Sequence, residues 1–274
     1  MLEKVALFAA DACAALFLSG CGDGMPAEEP HAIDRIGKSA NTLLVSDLLL
    51  SIDFSEILFQ SDCAGTACEM SAPGLETVII SLADLVDGAA GEWPSAAETH
   101  RNVSLAREVG IGATDSLIGA GDAYAGWLDH NFFLVGHVSL TDADLWTFRF
   151  PMGISVGRAT GSNPVRGSAT WSGVMVGVDT NASRFSSVRG DADLVIGGFA
   201  NPKLTVMFTN IRDVDIGRPR EAMMWHDVPM TSGGFATGSD GNSIQGKFYG
   251  PDHGEAGGIF ERDRVIGAFG AKRR

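Results

Sequence analysis

One glycine-flanked serine has the spacing of a catalytic nucleophile. The stretch Gly153-Ile-Ser155-Val-Gly157 fits the nucleophile-elbow pattern, in which a strand precedes the serine and a helix follows it. Here Gly157 is followed by Arg-Ala-Thr-Gly-Ser-Asn-Pro, whose glycine and proline are incompatible with a helix. We therefore predict that Ser155 is a strand serine with no role in catalysis.

A second motif contains a candidate catalytic aspartate. Gly119-Ala-Gly-Asp122-Ala-Tyr resembles the anion-hole signature of ribokinase-like sugar kinases, in which the aspartate is the base. In those enzymes the motif lies late in an α/β domain, at the N-terminus of a helix. In this chain strand-like segments follow Asp122, and no α/β unit precedes it. We interpret the motif as an irregular glycine loop and predict that the protein is not an enzyme.

Histidine and aspartate are neighbours at three places, which raises the question of a metal site. The three pairs are Asp129-His130, His226-Asp227 and Asp252-His253. Neighbouring residues of a strand point to opposite faces, so no single pair holds an ion with both side chains. Nothing in the spacing brings the pairs together. We predict solvated turn residues, with no metal and no cofactor.

Two of the four cysteines are close enough in sequence to pair. Cys63 and Cys68 flank the tetrapeptide Ala-Gly-Thr-Ala. In an exported chain a disulfide explains such a pair better than zinc, which would need two further ligands nearby. Two free thiols are the alternative. The disulfide prediction therefore depends on evidence for export.

The N-terminus supplies that evidence. Val5 to Leu18 is apolar except for Asp11 and runs into Leu18-Ser-Gly-Cys21. A short apolar run closed by small residues is typical of a secretion signal. The last four residues resemble a bacterial lipobox, which implies a signal peptide over residues 1–20 and a lipid anchor on Cys21.

The signal is atypical, and alternatives to it stay open. Glu3 offsets the charge of Lys4, and Asp11 interrupts the apolar run. A buried cytoplasmic helix or a misassigned start codon would account for the same residues. Residues 21–40 are acidic and proline-containing and show no period, so we predict a flexible tether between anchor and domain.

Charge divides the chain into two parts. Residues 22–150 carry 20 acidic and 5 basic side chains, a net charge of −15. Residues 151–274 carry 12 acidic and 14 basic side chains, a net charge of +2. The first part repels phosphate backbones and anionic lipid headgroups. We therefore predict that nucleic acid is not a partner and that the membrane is contacted through the lipid anchor only.

Glycine and phenylalanine recur two residues apart in the last third of the chain. The pairs are Gly197-x-Phe199, Gly233-x-Phe235, Gly246-x-Phe248, Gly258-x-Phe260 and Gly267-x-Phe269. Residues i and i+2 of a strand share one face, so each pair places a ring beside a position without a side chain. This pattern suits a sheet that curls tightly on itself around aromatic rings.

Short apolar runs separated by turn signals predict a series of strands. These are Thr77 to Leu82, Asn131 to Val138, Leu145 to Val156, Thr170 to Val178, Ala192 to Phe199, Leu204 to Ile211, Ala222 to Met230, Ser243 to Tyr249, Gly257 to Glu261 and Val265 to Lys272. Thr42 to Leu58 is ambiguous, Ser95 to Glu108 is typical of a short helix, and Gly110 to Gly126 is irregular. Regular strand spacing favours a sandwich or a closed barrel, and the polar outer face of the Ser243 strand indicates that water covers it.

Motifs near the C-terminus resemble those of transferrin-binding protein B-like lipoproteins. They are Phe248-Tyr-Gly-Pro251, Glu255-x-Gly257-Gly258-x-Phe260 and Gly267-Ala-Phe-Gly-Ala-Lys-Arg273. Gly126-Trp-Leu-Asp-His130 and the stretch from Gly161 to Gly173 resemble smaller members of the same group. The resemblance covers about Gly126 to Arg273.

The resemblance implies a mainly β fold: an eight-stranded antiparallel barrel over residues 126–274 beside a small mixed handle-like subdomain over residues 41–125, which would hold the disulfide. It also implies an outer-membrane or cell-surface lipoprotein that binds a host protein or solute. The namesake has two lobes, whereas this chain has room for one. No binding residue carries over, because the namesake's contacts lie in loops that cannot be matched here.

We therefore expect a lipid-anchored binding protein of the bacterial outer membrane, displayed on the surface or facing the periplasm. Its ligand is unknown, and we expect contacts in loops at one barrel end. The three expected loops are Asp179 to Arg189, Arg212 to Arg220 and Gly250 to Glu255. An accessory envelope lipoprotein without a dedicated ligand is the second interpretation.

Overall fold

The computed structural model describes residues 31–52, 55–83, 85, 96–114, 117–142, 147–164, 168–180, 185–197, 203–239 and 241–274. The helix is α1 (Ala32–Ser39), and the strands are β1 (Thr42–Val45), β2 (Leu48–Ile52), β3 (Ser55–Ala64), β4 (Ala67–Ser71), β5 (Val78–Ser81), β6 (Glu98–His100), β7 (Val103–Thr114), β8 (Leu117–Trp127), β9 (Asn131–Asp142), β10 (Thr147–Gly157), β11 (Ala169–Asp179), β12 (Ser186–Ile196), β13 (Leu204–Asp213), β14 (Met223–Val228), β15 (Met230–Thr231), β16 (Gly234–Ser239), β17 (Asn242–Tyr249), β18 (Glu255–Arg262) and β19 (Val265–Arg273). The predicted signal peptide and Cys21 lie outside the described residues.

Helix α1 occupies the last part of the predicted tether. The His31 imidazole caps it, because Nδ1 accepts a hydrogen bond from the Ile33 amide at 3.2 Å. Ile33 and Ile36 lie about one turn apart and are buried in the core of the first sheet. A tether between anchor and domain therefore ends no later than His31.

Residues 42–157 contribute ten strands to one antiparallel sheet. Its order is β5-β4-β3-β2-β10-β9-β8-β7-β6, and β1 also pairs with β10. Strands β9 and β10, which the sequence analysis assigned to the barrel, pair here with β8 and β2. The change between sheets therefore falls between Gly157 and Ala169, and not at residue 126.

The segment from β6 to β8 differs most from expectation. The predicted helix at Ser95 to Glu108 is wrong, because β6 and most of this part of β7 are extended. The predicted irregular segment from Gly110 to Gly126 is also wrong, because β8 pairs with β7 along its whole length. Pairing in two successive hairpins outweighs the preference of the single segments for helix or loop.

Residues 169–273 form the barrel. The sheet order β14-β13-β12-β11-β19-β18-β17-β16-β15 places β14 and β15 at its two edges. These strands are consecutive in the chain and separated by Pro229, so residues 223–231 bond to β13 on one side and to β16 on the other. If β14 and β15 are counted as one interrupted strand, the barrel has eight strands. The predicted mainly β fold with a C-terminal antiparallel barrel is confirmed.

Aromatic rings fill the barrel. The Phe208 ring centroid lies 4.8 Å from that of Phe260 and 5.3 Å from that of Phe269. Glycine makes room for the rings, since a Cβ atom on Gly267 would lie 2.5 Å from the Phe260 ring. The prediction that glycine and phenylalanine share one face is therefore confirmed for Gly267 and Phe269 on β19.

Two of the five pairs have other surroundings. Gly233 lies in the turn before β16 with φ of +77°, a conformation that glycine adopts without strain. Gly197 is exposed, with no other atom near the position of a Cβ atom. Its partner Phe199 lies outside the described residues.

One side of the barrel's outer surface packs on the first sheet. Val174, Val176 and Val178 on β11 are fully buried in a cluster with Leu105 and Phe133 of the first sheet. The expected water-covered surface is present on β17, where Gln245 is exposed, but not on β11. The valines on the outer face of β11 are the feature of the sequence that indicates this interface.

Candidate functional site at one end of the barrel

Because the barrel strands are antiparallel, their connections alternate between two ends. Residues 180, 185, 214–222, 241 and 263–264 lie at one end, which we call the loop end. Residues 197, 203, 232–233 and 250–254 lie at the other end, which we call the entry end.

The described chain begins beside the entry end. The His31 ring packs against Trp127 with 5.1 Å between centroids. Two residues after Trp127, the Asp129 amide donates a hydrogen bond at 2.9 Å to Glu255, the first residue of β18. Helix α1 therefore lies close to the end of the barrel that is remote from the 214–222 loop.

The three expected binding loops do not share one end. Arg212 to Arg220 and the described ends of the expected loop Asp179 to Arg189 lie at the loop end, whereas Gly250 to Glu255 lies at the entry end. Residues 181–184 of the first loop lie outside the described residues. The last of these joins β17 to β18, and successive connections of an antiparallel barrel fall on alternate ends. The expectation of a single three-loop site is wrong.

Asp213 organises the connection at residues 214–222. Its Oδ1 accepts hydrogen bonds from the amides of Asp215 at 3.0 Å and Ile216 at 3.1 Å. The Gly217 amide donates to the Asp213 carbonyl oxygen at 3.0 Å, and the Asp213 amide donates to the Arg218 carbonyl oxygen at 2.9 Å. Burial opposes ionisation of Asp213, but hydrogen bonds led by that of the Ile216 amide lower the pKa of its carboxyl. Hydrogen bonds to the Asp213 carboxylate and within the backbone therefore hold the loop in place.

This stiff loop presents an isoleucine to water. Ile216 is 73 % exposed, which is more than any other large apolar side chain among the described residues. Arg218 beside it is also exposed. A side chain held out on an ordered loop loses little further freedom when it enters a pocket of a partner.

Two ion pairs fix the loop to its surroundings. Arg220 pairs with Asp179, the last residue of β11. Asp215 Oδ1 lies 2.8 Å from the Arg107 guanidinium on β7 of the first sheet. The loop is thereby attached to both sheets, and its position depends on how they pack.

Arg107 is the centre of the polar contact between the sheets. Its Nε and Nη2 atoms donate to the two carboxylate oxygens of Asp122 at 2.9 and 2.6 Å. The hydrogen bond to Asp122 is the main cause that raises the pKa of Arg107, against the opposing effect of burial. The Ser187 hydroxyl of the barrel also donates to Asp122, at 2.7 Å.

His137 lies beside this network without completing it. It is half-buried on β9, opposite Asp122, and packs edge-on against Phe185 with 5.8 Å between centroids. Its Nδ1 atom has no hydrogen-bond partner among the described residues. Burial lowers the pKa of His137; Asp122 and Asp215 oppose that shift, while Arg107 adds to it.

We expect His137 to make the fold less stable in mild acid. The unfolded chain takes up a proton at the ordinary histidine pKa of about 6.5, whereas the folded chain resists it to lower pH. Stability is therefore complete above about pH 6.5 and falls as the pH drops toward the lowered folded pKa. Thermal unfolding of the wild type and His137→Gln between about pH 7.5 and 5.5 measures this, and the variant should lose less stability over the interval. Exposed His226→Gln is the control, and equal slopes for wild type and His137→Gln would contradict the assignment.

Glu255 connects the two sheets at the entry end. Its carboxylate is 1 % exposed and accepts hydrogen bonds from the Asp129 and His130 amides at 2.9 and 3.0 Å. Burial raises the pKa of Glu255, and the two amides act in the opposite direction. The polar groups at this end hold the sheets together.

Ser155 belongs to the same junction. It lies within β10, is fully buried, and its hydroxyl is 3.1 Å from Asn131 Nδ2 and 3.3 Å from the Tyr249 hydroxyl. A strand continues through Ser155 to Gly157, so the strand-to-helix turn of a nucleophile elbow does not form there. The structure thus places Ser155 in a packing contact.

The other sequence candidates lie on β8, on β14 and at the entry end of the barrel. Asp122 is in the middle of β8 and not at a helix N-terminus, and its carboxylate binds Arg107. His130 and His253 lie at the entry end, whereas His226 is exposed on β14. Within the part of the chain that the structure describes, no three His, Cys, Asp or Glu side chains are arranged to hold a metal ion.

The structure pairs Cys63 and Cys68. They are opposite each other on β3 and β4 and form a disulfide. The bond lies in the first sheet, remote in sequence from the loop end. Lipidation of Cys21 stays a prediction.

The expected loop Arg212 to Arg220 contains the residues that define the loop end, but sequence reasoning did not single out any of them. Asp213 and Gly217 are a local turn signal that was available, since aspartate bonds to amides that follow it and glycine permits positive φ. Ile216 and the Arg107–Asp215 pair had no such signal. Their importance arises from exposure and from a contact between two sheets.

Comparison with known proteins identifies no family. No family description and no curated protein matches the chain. The solved structure of intact Ap-TbpB, with its N and C lobes, matches with 14 % identity and a TM-score of 0.35, covering 79 % of this chain and 54 % of that one. This chain therefore spans about half the length of that protein.

A second solved structure is that of a protein of unknown function from the DUF3598 family of Nostoc punctiforme. It matches with 10 % identity and a TM-score of 0.20, covering 91 % of this chain and 99 % of that one. At these TM-scores neither likeness carries an argument about function. None of the described helices has the length and apolar character needed to cross a bilayer.

Proposed function

We propose that the protein is a lipid-anchored binding protein of the bacterial envelope and that it recognises a protein partner, such as a host protein, through the loop end of its barrel. The observation that carries this proposal is the ordered loop at residues 214–222, which holds Ile216 out into water. An apolar side chain held on an ordered loop gains burial from a partner that covers it and loses little further freedom.

The position of the loop supports the same function. The predicted anchor Cys21 precedes His31 by ten residues, and His31 lies beside the entry end. An anchor on that side holds the entry end toward the membrane and directs the loop end away from it. A partner approaching from the surrounding medium then meets Ile216 first.

The barrel interior gives no alternative place for a ligand among the described residues. The rings of Phe208, Phe260 and Phe269 contact one another there and are 2 % exposed or less. Small eight-stranded barrels either hold a ligand or fill with side chains, and this one is filled. Recognition therefore uses the outer surface.

The chemistry of the loop end indicates the type of partner. Small-molecule sites are concave, whereas Ile216 projects from the surface. Arginine is enriched at protein interfaces, and Arg218 is exposed next to the isoleucine. The best match is a protein with an apolar pocket bordered by carboxylates.

Replacing Ile216 tests the proposal. We expect immobilised wild-type protein to retain a partner from host serum or from a panel of iron and haem carriers, and Ile216→Asp to retain at least about tenfold less of it. The matched control is Ile79→Asp. Ile79 is 62 % exposed on the first sheet, and its replacement should leave retention of the partner unchanged. Quantitative mass spectrometry of the retained proteins gives the comparison.

The outcomes separate the two interpretations of the chain. A partner retained equally by Ile216→Asp would show that the loop end is not the binding site. Retention of nothing across the panel would favour an accessory envelope lipoprotein without a dedicated ligand.

A further inference from the structure

A polar groove of about 410 Å³ opens at the entry end of the molecule. Its walls include Arg35 of α1, Asn102 and Ser104 of the β6–β7 hairpin, and Lys272 of β19. Trp127 and Asp129 form part of the lining. Four separate parts of the fold therefore contribute polar side chains to one depression: α1, the β6–β7 hairpin, the β8–β9 connection and β19.

The groove carries fixed positive charge. The Lys272 ammonium lies 2.7 Å from the Asp129 carboxylate, and this hydrogen bond raises the pKa of Lys272. Lys272 is therefore held in place as a cation. With Arg35 the lining contains two cations and one carboxylate, in a chain whose net charge is −14.

The residues after Lys272 extend this positive surface. Arg273 and Arg274 are exposed, and the Arg273 guanidinium donates to the Asp252 carbonyl oxygen at 2.8 Å. The strand β19 ends here, so the three basic side chains follow one another at the entry end. Arg274 also lies 3.6 Å from the Asp193 carboxylate. The basic end of β19 is a local exception to the net negative charge from which we predicted repulsion of lipid headgroups.

The donor set fits phosphate. A guanidinium and an ammonium suit phosphate oxygens, and the Asn102 amide and Ser104 hydroxyl supply neutral donors at the same groove. The volume is ample for one phosphate with its glycerol. Lys272 and Asp129 together carry no net charge, so Arg35 supplies the net positive charge of the lining. The Lys272 ammonium has three N–H donors and can bond a phosphate oxygen while it stays paired with Asp129.

We propose that this groove binds the phosphate of an anionic lipid headgroup and so orients the protein on its membrane. The inference rests on the proposed lipid anchor, because an anchor ten residues before His31 holds the groove within reach of headgroups. A phosphate in the membrane surface then meets the groove while Ile216 points away. The anchor supplies attachment, and the groove supplies orientation.

Vesicle binding tests the inference without the anchor. The full chain is made with Cys21→Ser, so that no acyl group is attached, and sedimented with vesicles of phosphatidylcholine alone or mixed with phosphatidylglycerol. We expect stronger binding to the mixed vesicles, weakened by salt. Arg35→Gln and Lys272→Gln should each reduce this binding by about fivefold. Arg264→Gln is the matched control, because Arg264 is an exposed cation at the loop end.

Each remaining outcome would overturn the inference. Equal binding to both vesicle types, or unchanged binding by the Arg35 and Lys272 variants, would contradict it. Thermal stabilisation by glycerol phosphate in solution without vesicle binding would replace the membrane by a soluble ligand. Failure of the anchor itself has a different readout, since metabolic labelling with a fatty acid would then give no label that Cys21→Ala removes, whatever the vesicle result.

Discussion

Arg107→Met is expected to lower the free energy of unfolding by about 3 kcal/mol. The substitution keeps the apolar stem but removes the cation from Asp122, whose side chain is 9 % exposed. Asp122 would keep the Ser187 hydroxyl at 2.7 Å as a donor, which does not replace a bidentate guanidinium. Asp215 would lose its contact with the first sheet as well. Denaturant unfolding followed by circular dichroism measures the change.

Two further variants make this expectation specific. In the Arg107→Met/Asp122→Leu double variant most of the lost stability should return, because no buried charge is left unpaired. Arg264→Met breaks the ion pair between Arg264 and Glu56, and both of these side chains are more than half exposed. It should lower the free energy of unfolding by less than about 1 kcal/mol. A loss at Arg107 as small as that at Arg264 would contradict the role of Arg107 as the link between the sheets.

Gly258→Ala is expected to destabilise the barrel by about 3 kcal/mol. A Cβ atom there would lie 2.0 Å from the Gln245 carbonyl oxygen and 2.6 Å from the Gly246 Cα atom. Both are backbone atoms of β17, which is paired on each side and does not yield as a side chain does. The change should appear in thermal and denaturant unfolding.

Gly197→Ala is the matched control from the same sequence pattern. Gly197 has no neighbouring atom within 4 Å of a Cβ position, so its replacement should change stability by less than about 0.5 kcal/mol. Similar effects at both glycines would mean that close strand packing does not explain the Gly258 position.

The barrel was predictable because its signals are local. Gly267 and Phe269 share one face of β19 by strand geometry alone, and the alternation of Trp171 and Val174 on β11 separates the barrel core from the interface. Turn residues between short apolar runs located the strands. These features need no knowledge of what the chain contacts elsewhere.

The segment from β6 to β8 was not predictable in the same way. Glycine is paired with glycine across this hairpin, with Gly110 opposite Gly121 and Gly112 opposite Gly119. A glycine-rich segment considered alone is typical of a loop, and only pairing with the partner strand makes its backbone a regular strand. The assignment of β9 and β10 to the first sheet likewise depends on pairing with β2, which lies far away in sequence.

The candidate site required the folded chain. Ile216 is one isoleucine among many until its exposure is known, and Arg107 and Asp215 come from different sheets. The groove at the entry end joins residues from α1, the β6–β7 hairpin and the C-terminal strand. No short sequence motif contains the residues that line this groove.

Photo-crosslinking from defined positions tests the central claim most directly. An apolar photoreactive amino acid replaces Ile216, Ile79 or Ala32, which lines the groove at the entry end, in cells that carry the full chain. The cells are then illuminated in the presence of host serum. We predict a crosslinked protein adduct from position 216, none from position 79, and lipid adducts from position 32. A protein adduct from position 79 with none from position 216 would contradict the assignment of the loop end as the recognition surface.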